Sequence, residues 1–127
     1  MNRTVMIVDD SLFIRNILRG ILAEKGYVVT AEAGSGIEAM RNLHTNHPDI
    51  ILLDIILPDS NGLDLLESII KVCPDSQVVV CSSIGQPLVI QKSLELGAKA
   101  FIQKPFTPEK VTEVLKNLED CGDILPT

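Results

Sequence analysis

The stretch TVMIVDDSLFIRNILRGILAEKG, residues 4–26, decides how this chain is read. Thr4 to Val8 is a short apolar run rich in β-branched residues, the composition of a strand covered on both faces. Two carboxylates, Asp9 and Asp10, end the run abruptly. Ser11 then offers a helix cap, and Ile14, Ile17, Leu18 and Ile21 fall at i, i+3, i+4 and i+7, one face of a helix. Gly26 is placed to close that helix. The unit is strand, acid pair, helix.

The strand–helix unit recurs four more times. Val28 to Glu32, Ile50 to Leu53, Val78 to Cys81 and Ala100 to Gln103 read as strands. Between them lie further helical stripes: Ile37, Met40 and Leu43 within a weaker helix over Gly36 to His44, then Leu66, Ile69, Ile70 and Cys73. Ile90, Ser93, Leu94 and Gly97 form the next, and Val111, Val114, Leu115 and Leu118 the last. Pro48, Pro58, Pro74 and Pro105 fall between elements, and Pro108 suits the first turn of the last helix with Thr107 as its cap. Such alternation predicts an α/β fold, a doubly wound, five-stranded parallel sheet with five helices; its order is taken as the flavodoxin-like 2-1-3-4-5, which alternation alone does not fix. Residues from Asp120 onward lack periodicity, so the expected domain is 1–119 with a C-terminal tail at 120–127.

Composition narrows the function classes. The 127 residues suit one domain, and 46% hydrophobic residues supply a core. A net charge of −6 argues against a direct grip on nucleic acid, which needs a basic face. No apolar run is long enough to span a bilayer, so no membrane insertion is expected. The N-terminus lacks the pattern of a secretory leader, and Cys73, Cys81 and Cys121 show no CxxC spacing. Reduced thiols in a cytoplasmic protein are the expectation. His44 and His47 make an HxxH at a helix end before Pro48, where a surface turn is favoured over a metal site.

In a doubly wound sheet, ligands bind beyond the carboxyl ends of the strands, where strand order reverses. Those ends carry Asp9 and Asp10, Asp54, Ser82 and Ser83, and Lys104. With strands 1 and 3 adjacent, Asp9, Asp10 and Asp54 converge, and three close carboxylates resist full ionisation unless a cation joins them. An all-oxygen site of this kind suits Mg²⁺ or Mn²⁺. Asp54, central between the acid pair and the Ser/Lys side, is the best nucleophile candidate for phosphoryl transfer to a carboxylate. Two other classes compete. An aspartate-nucleophile phosphatase of the haloacid dehalogenase type places its nucleophile after strand 1 in a DxD arrangement, whereas the acids here are adjacent. A nucleotide- or flavin-binding protein uses a glycine- or hydroxyl-rich loop after strand 1, where two carboxylates repel phosphate.

The ordered set Val8-Asp9-Asp10-Ser11, Asp54 with Pro58 and Asn61-Gly62, Ser82, and Lys104-Pro105-Phe106 resembles the receiver domain of two-component response regulators over residues 4–119. The stretch from Val80 to Gln86 looks most like the stand-alone chemotaxis receivers of non-enteric bacteria. The resemblance implies that Asp54 takes a phosphoryl group from a phosphohistidine on a sensor histidine kinase. It implies Mg²⁺ bound by Asp10, Asp54 and the main-chain carbonyl of Ile56, with Asp9 acting through water. Ser82 and Lys104 hold the phosphoryl group, and Lys104–Pro105 is a cis peptide. Activation couples Ser82 to Phe101, which lacks the phenol of the tyrosine often found there. The chain is then a phosphoacceptor switch rather than an enzyme on other substrates.

Its output surface would be the fourth helix, fifth strand and fifth helix, with Leu88, Lys92 and Leu96 outward, controlling a flagellar switch or other effector. A receiver cut from a longer regulator or hybrid kinase is the alternative within the same fold. Ile56 and Ile84 depart from the polar side chains that in this family help the hydrolytic water, so self-dephosphorylation is expected to be slow, with a separate phosphatase as a further partner.

Overall fold

A computed structural model of the chain describes residues 3–124, with side chains described as far as Glu119. Five strands, β1 (Thr4–Val8), β2 (Val28–Ala33), β3 (Ile50–Leu53), β4 (Gln77–Ser82) and β5 (Ala100–Gln103), form one parallel sheet of order 2-1-3-4-5. The helices α1 (Leu12–Glu24), α2 (Gly36–Leu43), α3 (Gly62–Val72), α4 (Pro87–Glu95) and α5 (Pro108–Ile124) connect them. Strand alternation sorts the core into two layers. Met6, Val8, Ile51, Leu53, Val78 and Val80 face a layer that includes Leu43, Leu66 and Ile69. Val5, Ile7, Ile50, Leu52, Val79 and Cys81 face the other, with Leu18, Leu22, Val111, Leu115 and Leu118. Each fully buried leucine or isoleucine contributes about 1.5–3 kcal/mol of transfer free energy, which holds short helices onto the sheet.

Side-chain caps start four of the helices. Ser11 accepts from the Ile14 N–H, Ser35 from Glu38, Asn61 from Leu63 and Asp64, and Thr107 from Lys110. Gln86 opens α4 without a side-chain cap, and Pro87 takes the first position instead. Gly26 follows α1 with φ of 87°, the left-handed conformation expected there.

Two helical stripes differ in part from expectation. In α1, Ile14, Leu18 and Ile21 pack against the core as predicted, but Ile17 is 37% exposed and Leu22 is buried in its place. In α4, Val89, Ser93 and Leu96 turn inward, and Leu94 faces solvent. That helix ends at Glu95, and Gly97, with φ of 120°, lies beyond it, so Gly97 never sets the helical phase. Leu96 is therefore partly buried rather than outward, and Leu88, 79% exposed, and Lys92 remain on the open face. An antiparallel ribbon of two-residue arms, Ile56–Leu57 with Ser60–Asn61, was not expected; it fills the connection from β3 to α3. The helix α5 runs to Ile124, so the segment 120–127 set apart as a tail starts inside it. The side chains of that segment, and residues 125–127 altogether, lie outside the described residues.

Candidate functional site

The sheet order reverses between β1 and β3, and their register places Val8 beside Leu53. The Asp54 N–H donates to the Val8 carbonyl at 2.9 Å, which carries the ladder one step past the strands and sets Asp9 and Asp54 side by side. Asp9 and Asp54 are buried, 2% and 5% exposed, and Asp10 is open to solvent. One carboxylate oxygen from each of the three lies within 4.8 Å of the others.

Each buried carboxylate is oriented by short-range donors. The Ser11 N–H donates to Asp9 Oδ1 at 2.9 Å. Asp54 Oδ1 accepts from the Ile56 N–H at 2.8 Å and from Ser82 Oγ at 3.0 Å. Lys104 bridges the remaining oxygens, its Nζ donating to Asp9 Oδ2 at 2.6 Å and to Asp54 Oδ2 at 2.9 Å. The Lys104 N–H is itself pinned to the Ser82 carbonyl at 2.9 Å, and the Lys104–Pro105 peptide is cis. Burial pulls the Lys104 ammonium down, but the hydrogen bonds and charges of Asp9 and Asp54 outweigh it and hold the group above its ordinary range. Nearby, the buried Cys81 thiol is pushed up to about 12, chiefly by desolvation, with Lys104 lowering it and the two aspartates adding a smaller rise.

The charge balance decides what fits. Two unit charges 4.8 Å apart repel by about 3–4 kcal/mol at an effective dielectric of 20. Three carboxylates and one ammonium leave a local charge of −2, which a divalent cation on oxygen ligands cancels. Asp9, Asp10 and Asp54 thus form a donor set that fits Mg²⁺, with Asp10 on the side open to solvent.

The structure brings Asp9, Asp10, Asp54, Ser82 and Lys104 together, as expected. Ile56 and Ile84 sit beside Asp54 and Ser82: the N–H of Ile56 binds Asp54, and that of Ile84 lies 3.5 Å from Ser82 Oγ. The Ile56 side chain is 45% exposed, whereas Ile84 and Phe101 pack partly buried against the core on the α2–α4 side. One residue the sequence reading passed over also reaches the site. Arg15 of α1 donates from Nη1 to the main-chain carbonyl of Asp9 at 2.5 Å. Its place one turn after Ser11 is the only trace of this in the sequence.

Residues 5–116 match the family described as the response regulator receiver domain. The chain is 40% identical over 118 residues to the chemotaxis protein CheY of Thermotoga maritima, covering 93% of this chain and 98% of that one. It is 31% identical over 116 residues to sporulation initiation phosphotransferase F of Bacillus subtilis, covering 91% and 93%. Among solved structures, one of the CheX–CheY–BeF3–Mg²⁺ complex from Borrelia burgdorferi matches with a TM-score of 0.84 and 32% identity, covering 91% of this chain and 88% of the other. The matched span includes the acids after β1, the acid after β3, the hydroxyl after β4 and the lysine after β5, and this chain belongs to the response regulator receiver family.

Proposed function

We propose that the chain is a phosphorylation-controlled binding module in which Asp54 accepts a phosphoryl group from a sensor histidine kinase. The observation that carries this reading is the convergence on Asp54 of Lys104 at one carboxylate oxygen and Ser82 at the other, beside two further acids. An Asp54 carboxylate oxygen forms a bond to phosphorus while the donor's phosphorus–nitrogen bond breaks, and the bonding pair leaves with the imidazole nitrogen. Lys104 Nζ and Ser82 Oγ, already within hydrogen-bond distance of Asp54, hold the phosphoryl oxygens that arrive there. Asp10, Asp54 and the Ile56 carbonyl, with Asp9 behind a water, would hold Mg²⁺, whose role is to neutralise charge on the transferring group.

The module comprises residues 1–119 and works in the cytoplasm. Phosphorylation moves Ser82 toward the phosphoryl group and Phe101 with it, changing the α4–β5–α5 surface that an effector reads. The CheY relatives support a chemotaxis output, for which a flagellar switch protein is the effector we infer. The Borrelia CheY structure, a complex with CheX, supports binding of a separate protein partner, and a phosphatase is the partner that slow self-dephosphorylation calls for. Ile56 and Ile84 leave the water that attacks the acyl phosphate without a polar partner, so the phosphorylated state is long-lived.

The test is mass spectrometry after incubation with acetyl phosphate and Mg²⁺. The expected result is a gain of one phosphoryl group, absent in Asp54→Asn and with EDTA, that decays faster in Ile56→Asn and Ile84→Glu. No gain in the parent protein removes the phosphoacceptor reading; equal decay in the variants removes the role of the isoleucines.

A further inference from the structure

The β1–β2 ladder stops just short of the acid pair. Val8 pairs with Ala33, and the Asp9 N–H still donates to the Ala33 carbonyl at 2.9 Å, but β2 ends there. The Asp9 carbonyl therefore needs a partner from elsewhere. Arg15 supplies it, with Nη1 at 2.5 Å, while its Nε donates to Glu32 Oε1 at 3.0 Å. Glu32 sits one residue before the end of β2 and also pairs with Arg19. Arg15 and Glu32 are both largely covered, their side chains 17% and 18% exposed, whereas Arg19 is half exposed. Gly34 keeps the path open: a Cβ there would come within 3.3 Å of Arg15 Nη1.

We propose that Arg15, anchored on Glu32, is the positioning residue of the acidic pocket, fixing the Asp9–Asp10 backbone so that the carboxylates on either side of that carbonyl face a bound divalent cation. The planar guanidinium makes both bonds at once from a fixed fork, which a lysine ammonium on a flexible stem does not reproduce. The inference rests on the phosphoacceptor reading, because it concerns the same cation.

Coulomb's law and positioning predict opposite signs for one substitution. Removing the Arg15 cation from beside a cation site should tighten Mg²⁺ binding if charge alone matters. Losing the position of the ligands should weaken it by about 10-fold or more, the range seen when outer partners of metal ligands are removed.

The experiment is Mg²⁺ titration of the ¹⁵N-labelled, unphosphorylated protein, read at amide resonances so that only folded molecules report. Arg15→Met and Arg15→Lys should both bind about 10-fold or more weakly than the parent. Adding Glu32→Gln to Arg15→Met should cost nothing further, since the pair acts as one unit. Arg19→Met, which loses a Glu32 partner without touching Asp9, should bind as the parent does. Arg15→Met binding as tightly as the parent or tighter, or Arg15→Lys matching the parent, overturns the proposal. If the parent itself neither binds Mg²⁺ nor gains a phosphoryl group from acetyl phosphate, the phosphoacceptor reading fails and this one with it. Failure of the Arg15 variants alone leaves that reading standing.

Discussion

Cys81 is buried one residue before Ser82, near enough to Asp9, Asp54 and Lys104 to feel their charges, and its environment makes a chemical statement. Desolvation, reinforced by Asp9 and Asp54 and opposed by Lys104, pushes its thiol from the ordinary 9.0 to about 12. The folded state therefore keeps the proton that the unfolded state gives up above about pH 9. The sign follows directly: this contribution to stability is complete below the unfolded value and is lost as pH rises from about 9 through about 12. Urea unfolding at about pH 8 and about pH 10.5 should show a stability loss in the parent that exceeds the loss in Cys81→Val by up to about 2 kcal/mol. Tyr27, raised to about 12 chiefly by burial, adds a loss of the same sign to both proteins and drops out of the comparison. Equal losses in the two proteins would show that burial of Cys81 does not hold its proton. Alkylation gives a second check: Cys81 in the native protein should resist iodoacetamide at about pH 8 and react in urea, since only the thiolate attacks.

The ribbon between β3 and α3 is the element on which the site depends most and which sequence pattern revealed least. Its arms are two residues each, too short to display a period of two, so Pro58 and Asn61-Gly62 contributed to the family resemblance without revealing a ribbon. Its anchors are local. Asp59 accepts from the Gly36 and Ile37 N–H groups at 2.9 and 3.1 Å, joining the ribbon's turn to the start of α2. Those two bonds, ahead of any desolvation, hold the Asp59 carboxyl below its usual range. At the other end Gly62 is packed so tightly that a Cβ would come 1.9 Å from the Ile55 carbonyl oxygen, a backbone atom that cannot swing aside. Gly62→Ala should therefore cost about 2 kcal/mol or more, in the upper part of the range for overpacking. It should also weaken Mg²⁺ binding, because the displaced segment holds the Asp54 carboxylate through the Ile56 N–H. Thermal melting in EDTA and Mg²⁺ titration check the two effects; a parent-like melt with parent-like affinity would mean that the contact relaxes freely. The phase of α4 was misread for a related reason. Its stripe mixes Val89, Ile90, Leu94 and Leu96 around a buried Ser93, whose Oγ donates to the Val89 carbonyl at 2.9 Å, so several apolar faces were equally plausible until packing chose one. The five strands were easier, because runs such as Ile50 to Leu53 are apolar throughout and need no phase.

For the molecule as a whole, the placing of the pocket follows from topology. Strand order 2-1-3-4-5 with acids after β1 and β3 puts three carboxylates at the reversal point, and strand ends placed the acids correctly once that order was assumed. The Lys104 bridge across Asp9 and Asp54 could be placed only on the far side of the site, because its position depends on the pairing of β4 with β5 and on the Lys104 N–H bond to the Ser82 carbonyl. Arg15 was invisible because its target is a carbonyl, which leaves no mark on sequence. This arrangement sets folding stability against readiness for the cation. Without metal, Asp10 repels the two buried aspartates, so Asp10→Asn should raise the stability of the metal-free protein by about 1 kcal/mol, solvent screening at the exposed residue keeping the gain small. With metal the order should reverse. A cation that binds only the folded state stabilises it by about 2.7 kcal/mol at one hundred times its dissociation constant, a rise of about 10 °C in melting temperature for a chain of this size. The parent should show that rise in saturating Mg²⁺, and Asp10→Asn should show little of it. Calorimetric melts of both proteins in EDTA and in Mg²⁺ decide the matter. If the two curves fail to exchange rank on adding Mg²⁺, then the acid cluster is a structural feature that Lys104 already satisfies, and the cost of holding three carboxylates together has another cause.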